Sequence, residues 1–449
     1  MQFELTSDLI DQIQAYVAVQ NETALKELLS ELHHADIAEV LDEVDADEAA
    51  YLVLLLDSEQ TSEALMELDE DVREKLLGNL TPAEIADEVD EMDTDDAVDM
   101  IAELDDDVQL AVINQIEDEE HKADIREMLQ YDENSAGGLM AKELIRVKDS
   151  WTVGGCVSEM RRQAEEVTRV HSIYVVTKRD ELIGRLSLKD LLTSDTKTKI
   201  AEIYIPKVDS VNINDSAEDV AKLMQKYDLE AIPVVNDKNI LMGRITIDDI
   251  VDFIKEEAEK DYQMAAGISQ DVEADDSILT LTRARLPWLF LGLVGGVGAA
   301  TIMGGFEDIL ESYALLFFYT PLIAAMAGNV GVQSSAIIVQ GLANDDVKGS
   351  IGNRLVKEML LAALNGLLLG LALFAFTALW YGDVRAAIAI SASLFVVIIM
   401  AGIIGTFIPL FLHKRGIDPA IATGPFITTS NDIFGILIYF WIAKMVLGI

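Results

Sequence analysis

The sequence predicts a multidomain, largely helical membrane protein. Its parts are an N-terminal all-α solenoid of acidic repeats, a doubled α/β module, a long linker helix and an α-helical membrane domain of five spans. Three observations predict this. Residues from about 35 to 130 repeat every 24 positions; a strand–turn–strand–helix pattern after Ser135 returns 59 residues later; and the final third holds five long apolar stretches. The chain accordingly divides into residues 1–134, 135–246, 247–270 and 271–449.

In the repeat region, Val44-Asp45, Leu68-Asp69, Met92-Asp93 and Ile116-Glu117 fall 24 residues apart, accompanied by Leu52-Val53, Leu76-Leu77 and Met100-Ile101. Each unit reads as two short helices joined at an acidic turn, where a carboxylate can cap the second helix. Stacked, the units bury Leu, Ile and Val on one face and present Asp and Glu on the other. The charge follows the same division. The formal net charge of the chain is -46, yet residues 1–134 hold 42 acids against five bases and residues from 286 onward nine against seven. Such a local acidic face excludes nucleic acid and anionic lipid as partners and favours cations. Most of these acids read as a solvated face, but mutual repulsion makes their packing sensitive to divalent ions. Oxygen ligands suit Mg²⁺ or Ca²⁺, and no EF-hand loop is present. One cysteine, Cys156, and five scattered histidines supply neither a disulfide framework nor a zinc site. Met1 to Ile10 lacks the basic and apolar regions of a signal peptide.

The doubled module runs Ile173-Tyr-Val-Val to Gly184-Arg-Leu-Ser187-Leu-Lys-Asp190, echoed by Ile232-Pro-Val-Val to Gly243-Arg-Ile-Thr246-Ile-Asp-Asp249. Each copy reads as two strands and a helix opening at Ser/Thr with Asp three residues on. An amphipathic helix precedes each, Val153 to Gln163 and Ala217 to Tyr227. The doubled pattern resembles a tandem pair of CBS domains. That resemblance implies adenine-nucleotide binding, with Asp190 and Asp249 toward the ribose; helix capping also explains both acids. After the second copy the helical pattern continues from Ile247 to Ala266, with Asp248, Asp252, Glu256 and Glu259 in one acidic stripe. Such a helix can lie along a membrane surface or serve as a plain amphipathic linker.

Membrane spans are predicted at about 286–305, 313–342, 355–380, 386–412 and 420–447. Arg283 and Arg285 precede the first; Lys348, Arg354 and Lys357 flank the second loop; His413, Lys414 and Arg415 occupy the fourth. The positive-inside rule puts the N-terminus in the cytoplasm and the C-terminus outside. The second and last spans read as too long or too broken for plain helices. In the second, Pro321, Gly328, Asn329, Gly331 and Gln333 predict a kink packed tightly on a neighbour. In the last, Gly424-Pro425 predicts an interruption that frees backbone carbonyls, and apolar residues continue for about ten positions beyond Asp432. A carboxylate at that depth is costly and typically faces a watery pathway, so Asp432 is the candidate cation ligand, with Asn329 within reach. The plain alternative is an Asp hydrogen-bonded to a neighbouring helix.

Together these parts, with Pro321…Gly328-Asn329-x-Gly331-x-Gln333 and Asp418-Pro-Ala…Gly-Pro425…Asn431-Asp432, resemble the MgtE family of magnesium channels over almost the whole chain. The resemblance implies a cell-membrane homodimer that takes up Mg²⁺ through a pore on its two-fold axis, lined by Asp432, Asn329, Asn431, Thr428, Gly424 and Pro425. It implies that the linker helix is a plug, closed by cytosolic Mg²⁺ on Asp90, Asp95, Glu218, Asp228, Asp249, Asp252, Glu257, Asp261 and Asp418. It also implies an ATP site near Asp190 and Lys189. Lys189 and His171 depart from the usual nucleotide pocket, and Val332 stands where some members carry a second Asn. The competing readings are a membrane-anchored regulatory or sensor protein and a divalent transporter that also passes Mn²⁺, Co²⁺ or Ca²⁺. No nucleophile–base pair or metalloprotease motif supports an enzyme.

Overall fold

The computed structural model describes residues 5–30, 32–163, 169–270, 272, 274, 276–343, 350–422 and 424–448. Lys348, part of the polar stretch 269–277 and residues 1–4 lie outside the described residues. The chain forms two compact units, Met1–Ile254 and Lys255–Ile449.

The first unit opens with α1 (Ser7–Ala18), α2 (Glu22–Leu29), α3 (His34–Glu43), α4 (Ala46–Leu55), α5 (Ser58–Met66), α6 (Glu70–Leu77), α7 (Pro82–Val89), α8 (Thr94–Ala102), α9 (Asp106–Gln115) and α10 (Glu119–Met128). Helices α3 to α9 start at positions 34, 46, 58, 70, 82, 94 and 106, twelve apart, so each 24-residue repeat is two helices as predicted. The recurring apolar pairs, Leu52-Val53, Leu76-Leu77 and Met100-Ile101, are all buried. The acidic turns differ from expectation. Asp45, Asp69 and Asp93 occupy N-cap positions without making a side-chain cap bond. Their charge still favours the helix start through the dipole.

The doubled module contains β1 (Ile145–Lys148), α11 (Val153–Gln163), β2 (Ile173–Val176), β3 (Leu182–Leu186), α12 (Leu188–Thr193) and β4 (Ile205–Pro206). The second copy is β5 (Val211–Asn212), α13 (Ala217–Tyr227), β6 (Ala231–Val235) and β7 (Leu241–Thr246), followed by α14 (Ile247–Ala266). The sheets are ordered β1-β2-β3-β4 and β5-β6-β7. In each, the first strand pairs parallel with the second, which turns back antiparallel. Both hairpins shift register at the equivalent place, Val175/Val176 and Val234/Val235. The copies join where Leu182 N–H donates to Asn239 O at 2.9 Å and Leu241 N–H to Asp180 O at 3.0 Å. The core of the helical repeats continues into the second copy through Ala136, Met140, Val220, Ile245 and Ile250, whereas the first copy has its own core around Val147, Cys156 and Val175. The boundary at 134/135 therefore separates sequence textures but not cores.

Helix α14 has the predicted bounds, and the division between the two units falls inside it. The second unit holds five helices long and apolar enough to cross a membrane among the described residues: α15 (Ile278–Gly304), then, after the short α16 (Glu307–Ser312), α17 (Ala314–Ala343), α18 (Ile351–Tyr381), α19 (Val384–His413) and α20 (Gly424–Leu447). Helix α19 is the centre, packed on α17, α18 and α20, while α15 lies on α20. Three details correct the sequence reading. Helix α15 begins at Ile278, eight residues before the span predicted from 286, where the Ser277 hydroxyl caps it by accepting from Thr280 N at 3.2 Å. Helix α17 is unbroken despite Pro321; in the turn before the proline, the Leu316 carbonyl accepts hydrogen bonds from Thr320 Oγ1 at 3.2 Å and Tyr439 Oη at 2.9 Å. Gly424-Pro425 does not interrupt a span but starts one, after a 3-10 turn over Pro419–Ala422. Proline costs no hydrogen bond in a first helical turn, and that end offers N–H donors rather than freed carbonyls.

Candidate functional site

Helices α17 and α20 cross where Gly328 faces Thr428. A Cβ on Gly328 would stand 3.2 Å from Thr428 Cγ2 and 4.0 Å from Asp432 Oδ1, so glycine lets the acid-bearing helix approach. Thr428 and Asp432 are four residues apart and share one half-buried face; Asn329, beside Gly328, is exposed. Among the described residues Asp432 has neither a hydrogen bond nor an ion pair. The Thr428 hydroxyl donates back to Gly424 O at 2.9 Å. The structure thus brings Asp432 and Thr428 to one half-buried face against Gly328, with Asn329 exposed on the neighbouring position of α17.

Asn431 departs from the expectation that it lines this face. One residue along a helix turns the side chain by about 100°, and Asn431 points into the protein, fully buried against Gly331. Among the described residues neither polar atom of its amide has a hydrogen-bond partner. Gly331 touches both Asn431 and the backbone of Gly405, so α17 and α19 meet with no side chain between them and the Asn431 amide of α20 packs against the same glycine.

The start of α20 meets the end of α14. Gly424 adopts φ +47° and leaves room for no Cβ, which would collide with the Ala265 carbonyl; Gly267, at φ +84°, lies against Pro425. Gly424 and Pro425 are therefore the seat of the linker helix rather than a break in a span.

A second group lies in the first unit, at the N-terminus of α8. Asp93, Asp95 and Glu143 each offer a carboxylate oxygen within 4.8 Å of the others. Glu143, 49 residues on in the chain, accepts from Thr94 N at 3.1 Å and from the Thr94 hydroxyl, supplying the cap that Asp93 does not. Arg244 on β7 holds the arrangement from the other side, with Nη2 3.1 Å from Asp93 Oδ2 and Nε donating to the Glu143 carbonyl. Burial raises the Asp93 carboxyl to about 6, and Glu143 adds to this while Arg244 opposes it. Burial also raises Asp95 and Asp96, with Asp249 contributing its charge to both. Asp249 is itself raised by burial, against the bonds it accepts from Thr246 N and Oγ1 at 2.8 and 2.7 Å. An all-oxygen set of neighbouring carboxylates fits a hard divalent cation. Sequence reasoning named Asp95 and Asp249 but missed Asp93 and Glu143; the distance in sequence between the repeat and the strand hid Glu143.

Other predicted residues stand apart. Asp90 accepts from Glu117 N at 2.9 Å and so ties two turns of the repeat together. Glu218 pairs with Lys222 at 2.7 Å. Asp228 ends α13 in the left-handed region at φ 51° and borders a largely apolar cavity of about 350 Å³ with Met224, Leu229, Ile250 and Ile254. Asp252 and Asp261 lie on α14, as does Glu257, which is 3.9 Å from Lys260. Asp418 accepts from Ala420 N at 2.8 Å, capping the 3-10 turn. Ser187 makes no cap bond, so Asp190 lacks the tie seen between Thr246 and Asp249, and Lys189 beside it is exposed.

Comparison with known proteins agrees with this layout. The MgtE family profile, described as divalent cation transporter, matches residues 320–442; the MgtE intracellular N domain matches 32–134; and CBS domains match 136–196 and 200–256. The chain is 34% identical over 332 residues to the magnesium transporter MgtE of Bacillus subtilis, covering 74% of this chain and 73% of that one. It is 33% identical over 429 residues to the magnesium transporter MgtE of Thermus thermophilus, covering 94% and 95%. Among solved structures it is similar to the soluble part of a magnesium transporter, at 29% identity and a TM-score of 0.51, covering 56% of this chain and 98% of that one. It is also similar to the cytosolic domain of the Mg²⁺ channel MgtE in complex with ATP, at 30% identity and a TM-score of 0.51, covering 54% and 99%.

Proposed function

Because the chain belongs to the MgtE family of magnesium transporters, we propose that it is a Mg²⁺-selective channel of the cell membrane, working as a homodimer and closed by cytosolic Mg²⁺. One observation carries the transport reading: among the described residues Asp432 stands without a partner on a half-buried face where two membrane helices cross, beside Thr428 and against Gly328. Mg²⁺ gives up its water reluctantly, so carboxylates, hydroxyls and amides that bond to its hydration shell suit it better than a tight cage. Two helices of one chain cannot enclose a hydrated ion, and a second copy facing the first completes the ring with a second Asp432.

Closure works at both ends of the linker helix. Its C-terminal end rests on Gly424 and Pro425, at the start of the helix that carries Asp432. Cytosolic Mg²⁺ at Asp93, Asp95 and Glu143, with Asp249 close by, neutralises acids that otherwise repel. The ion shifts the equilibrium only by its greater affinity for the closed arrangement, so several weak sites along α14 act together. Glu218, Asp228, Asp252, Glu257, Asp261 and Asp418 are candidates for these, and the acids of the repeat face the cytoplasm with the N-terminus. ATP binding by the doubled module, at Asp190 and Lys189, is a separate proposal, supported by the relative crystallised with ATP.

The test is Mg²⁺ entry into liposomes holding the purified chain, compared with Mn²⁺, Co²⁺ and Ca²⁺. Mg²⁺ flux is expected in the wild type and is lost in Asp432→Asn while the protein stays folded and dimeric. Equal flux in a well-folded D432N protein removes Asp432 from the path, and equal entry of all four ions replaces the selective channel by a general divalent one.

A further inference from the structure

Helices α18 and α19 pack along a row spaced four residues apart. Ala362 Cβ lies 3.3 Å from a Cβ position on Gly402, Gly366 meets Phe395, and Gly370 meets the Ser391 carbonyl at 3.4 Å. Small residues at that spacing let two spans approach closely. One turn before Ala362 the row ends on Glu358, an acid where another small side chain would fit. Its Oε1 stands 3.1 Å from the Cβ position on Gly402 and accepts a hydrogen bond from Ser334 Oγ on α17 at 2.6 Å. Ser334 is 5% exposed, Glu358 is half-buried, and among the described residues Glu358 makes no ion pair. Three spans therefore meet at one carboxyl whose bonded neighbour is a hydroxyl.

Ser334 lies three residues beyond Gly331, on the same helix. Gly331 is pressed on Asn431 and on the backbone of Gly405, and Gly328, one turn back, faces Thr428 and Asp432. A rotation or slide of α17 at Ser334 therefore moves the surface against which Asp432 stands. We propose that Glu358 is a positioning residue for transport: by accepting the Ser334 hydrogen bond it locks the second span to the third and fourth, and through Gly331 and Asn431 it sets the place of Asp432. The inference rests on the reading of Asp432 as the pore acid. An acid is a costly way to fill space among Ala and Gly inside a membrane, and the bond to Ser334 gives it a task that an apolar side chain cannot perform.

The experiment is Mg²⁺ flux through the full chain in liposomes for Glu358→Ala, Ser334→Ala, the double variant and Glu358→Gln, with thermal midpoints measured in detergent. Glu358→Ala and Ser334→Ala are each expected to raise the half-saturating Mg²⁺ concentration about fivefold and to weaken discrimination against Ca²⁺. The double variant is expected to be no worse than the poorer single one, because both remove the same bond. Glu358→Gln is expected to retain most of the flux, since its amide carbonyl accepts from Ser334 as the carboxylate does. Additive losses in the double variant, a Gln variant as poor as the Ala variant, or four variants that all match the wild type would each overturn the proposal. If Glu358→Ala does not fold, Ser334→Ala and Glu358→Gln decide it alone. A wild type without Mg²⁺ flux overturns the underlying reading instead.

Discussion

Lowering the pH from 7.5 to 5.5 should weaken the Mg²⁺ response of the acidic group at the start of α8, and its size follows from the site. Asp93 has its carboxyl raised to about 6 by burial, and Asp95 is raised by burial and by its acidic neighbours. A metal ligand must be deprotonated, so Mg²⁺ has to displace any proton held there. For one carboxyl titrating near 6 the apparent affinity is divided by about 1 at pH 7.5 and by about 4 at pH 5.5. Asp95 adds to this, so about fourfold is the floor. The stability of the metal-free protein moves the opposite way. Carboxyls raised in the folded state contribute stability that is fully present below about 4, their unfolded range, and lost as the pH rises through about 6 to 7. Without metal the first unit should therefore melt earlier at pH 8 than at pH 5, and millimolar Mg²⁺ should remove that difference. The assay is a Mg²⁺ titration of the full chain in detergent at the two pH values, read by protease protection of the Ile247–Ala266 helix. Calorimetry in two buffers of different ionisation heat counts the protons released. Midpoints that agree within twofold across this pH range, with no proton release, would refute the reasoning.

Further predictions concern single positions. Glu88 is 3% exposed, hydrogen-bonded by Thr61 at 2.7 Å, and raised to about 7 by burial. Glu88→Gln should therefore remove a stability loss of about 3 kcal/mol that develops between about pH 4.5 and 7; an unchanged pH profile of melting would exclude this. Gly424→Ala forces a side chain into the left-handed region and onto the Ala265 carbonyl, costing about 1–2 kcal/mol. It should loosen the seat of α14 and make the helix more protease-sensitive at high Mg²⁺. Gly405→Val should prevent assembly of the second unit, because even a Cβ collides with the Gly331 backbone; a well-folded, monodisperse variant would show the approach to be dispensable. Asp93→Asn should raise the Mg²⁺ concentration needed for protection, whereas Glu159→Gln, at the surface pair with Arg162, should move it little.

Much of the architecture was legible in the sequence because it repeats. The twelve-residue spacing of the helices, the doubled hairpins with equivalent register shifts, and five apolar runs each follow from periodicities of hydrophobic residues, which local chemistry imposes wherever the segment packs. Asp432 stood out as a candidate for a related reason: a charge is costly anywhere inside a membrane span, so its position alone draws the proposal to it. What only the tertiary structure decided depends on rotation about helix axes and on contacts distant in the chain. A shift of one residue turns Asn431 inward and leaves Asp432 on the half-buried face. Glu143 joins Asp93 and Asp95 across 50 and 48 residues, and no local pattern records that meeting. Gly424 and Pro425 read as a helix break from their own chemistry, yet they open a helix, with the backbone of Ala265 and Gly267 packed against Gly424. Hydrophobic period fixes which face of an element is buried; which residues then share that burial is settled by close packing between elements, where a single Cβ or hydroxyl decides the fit.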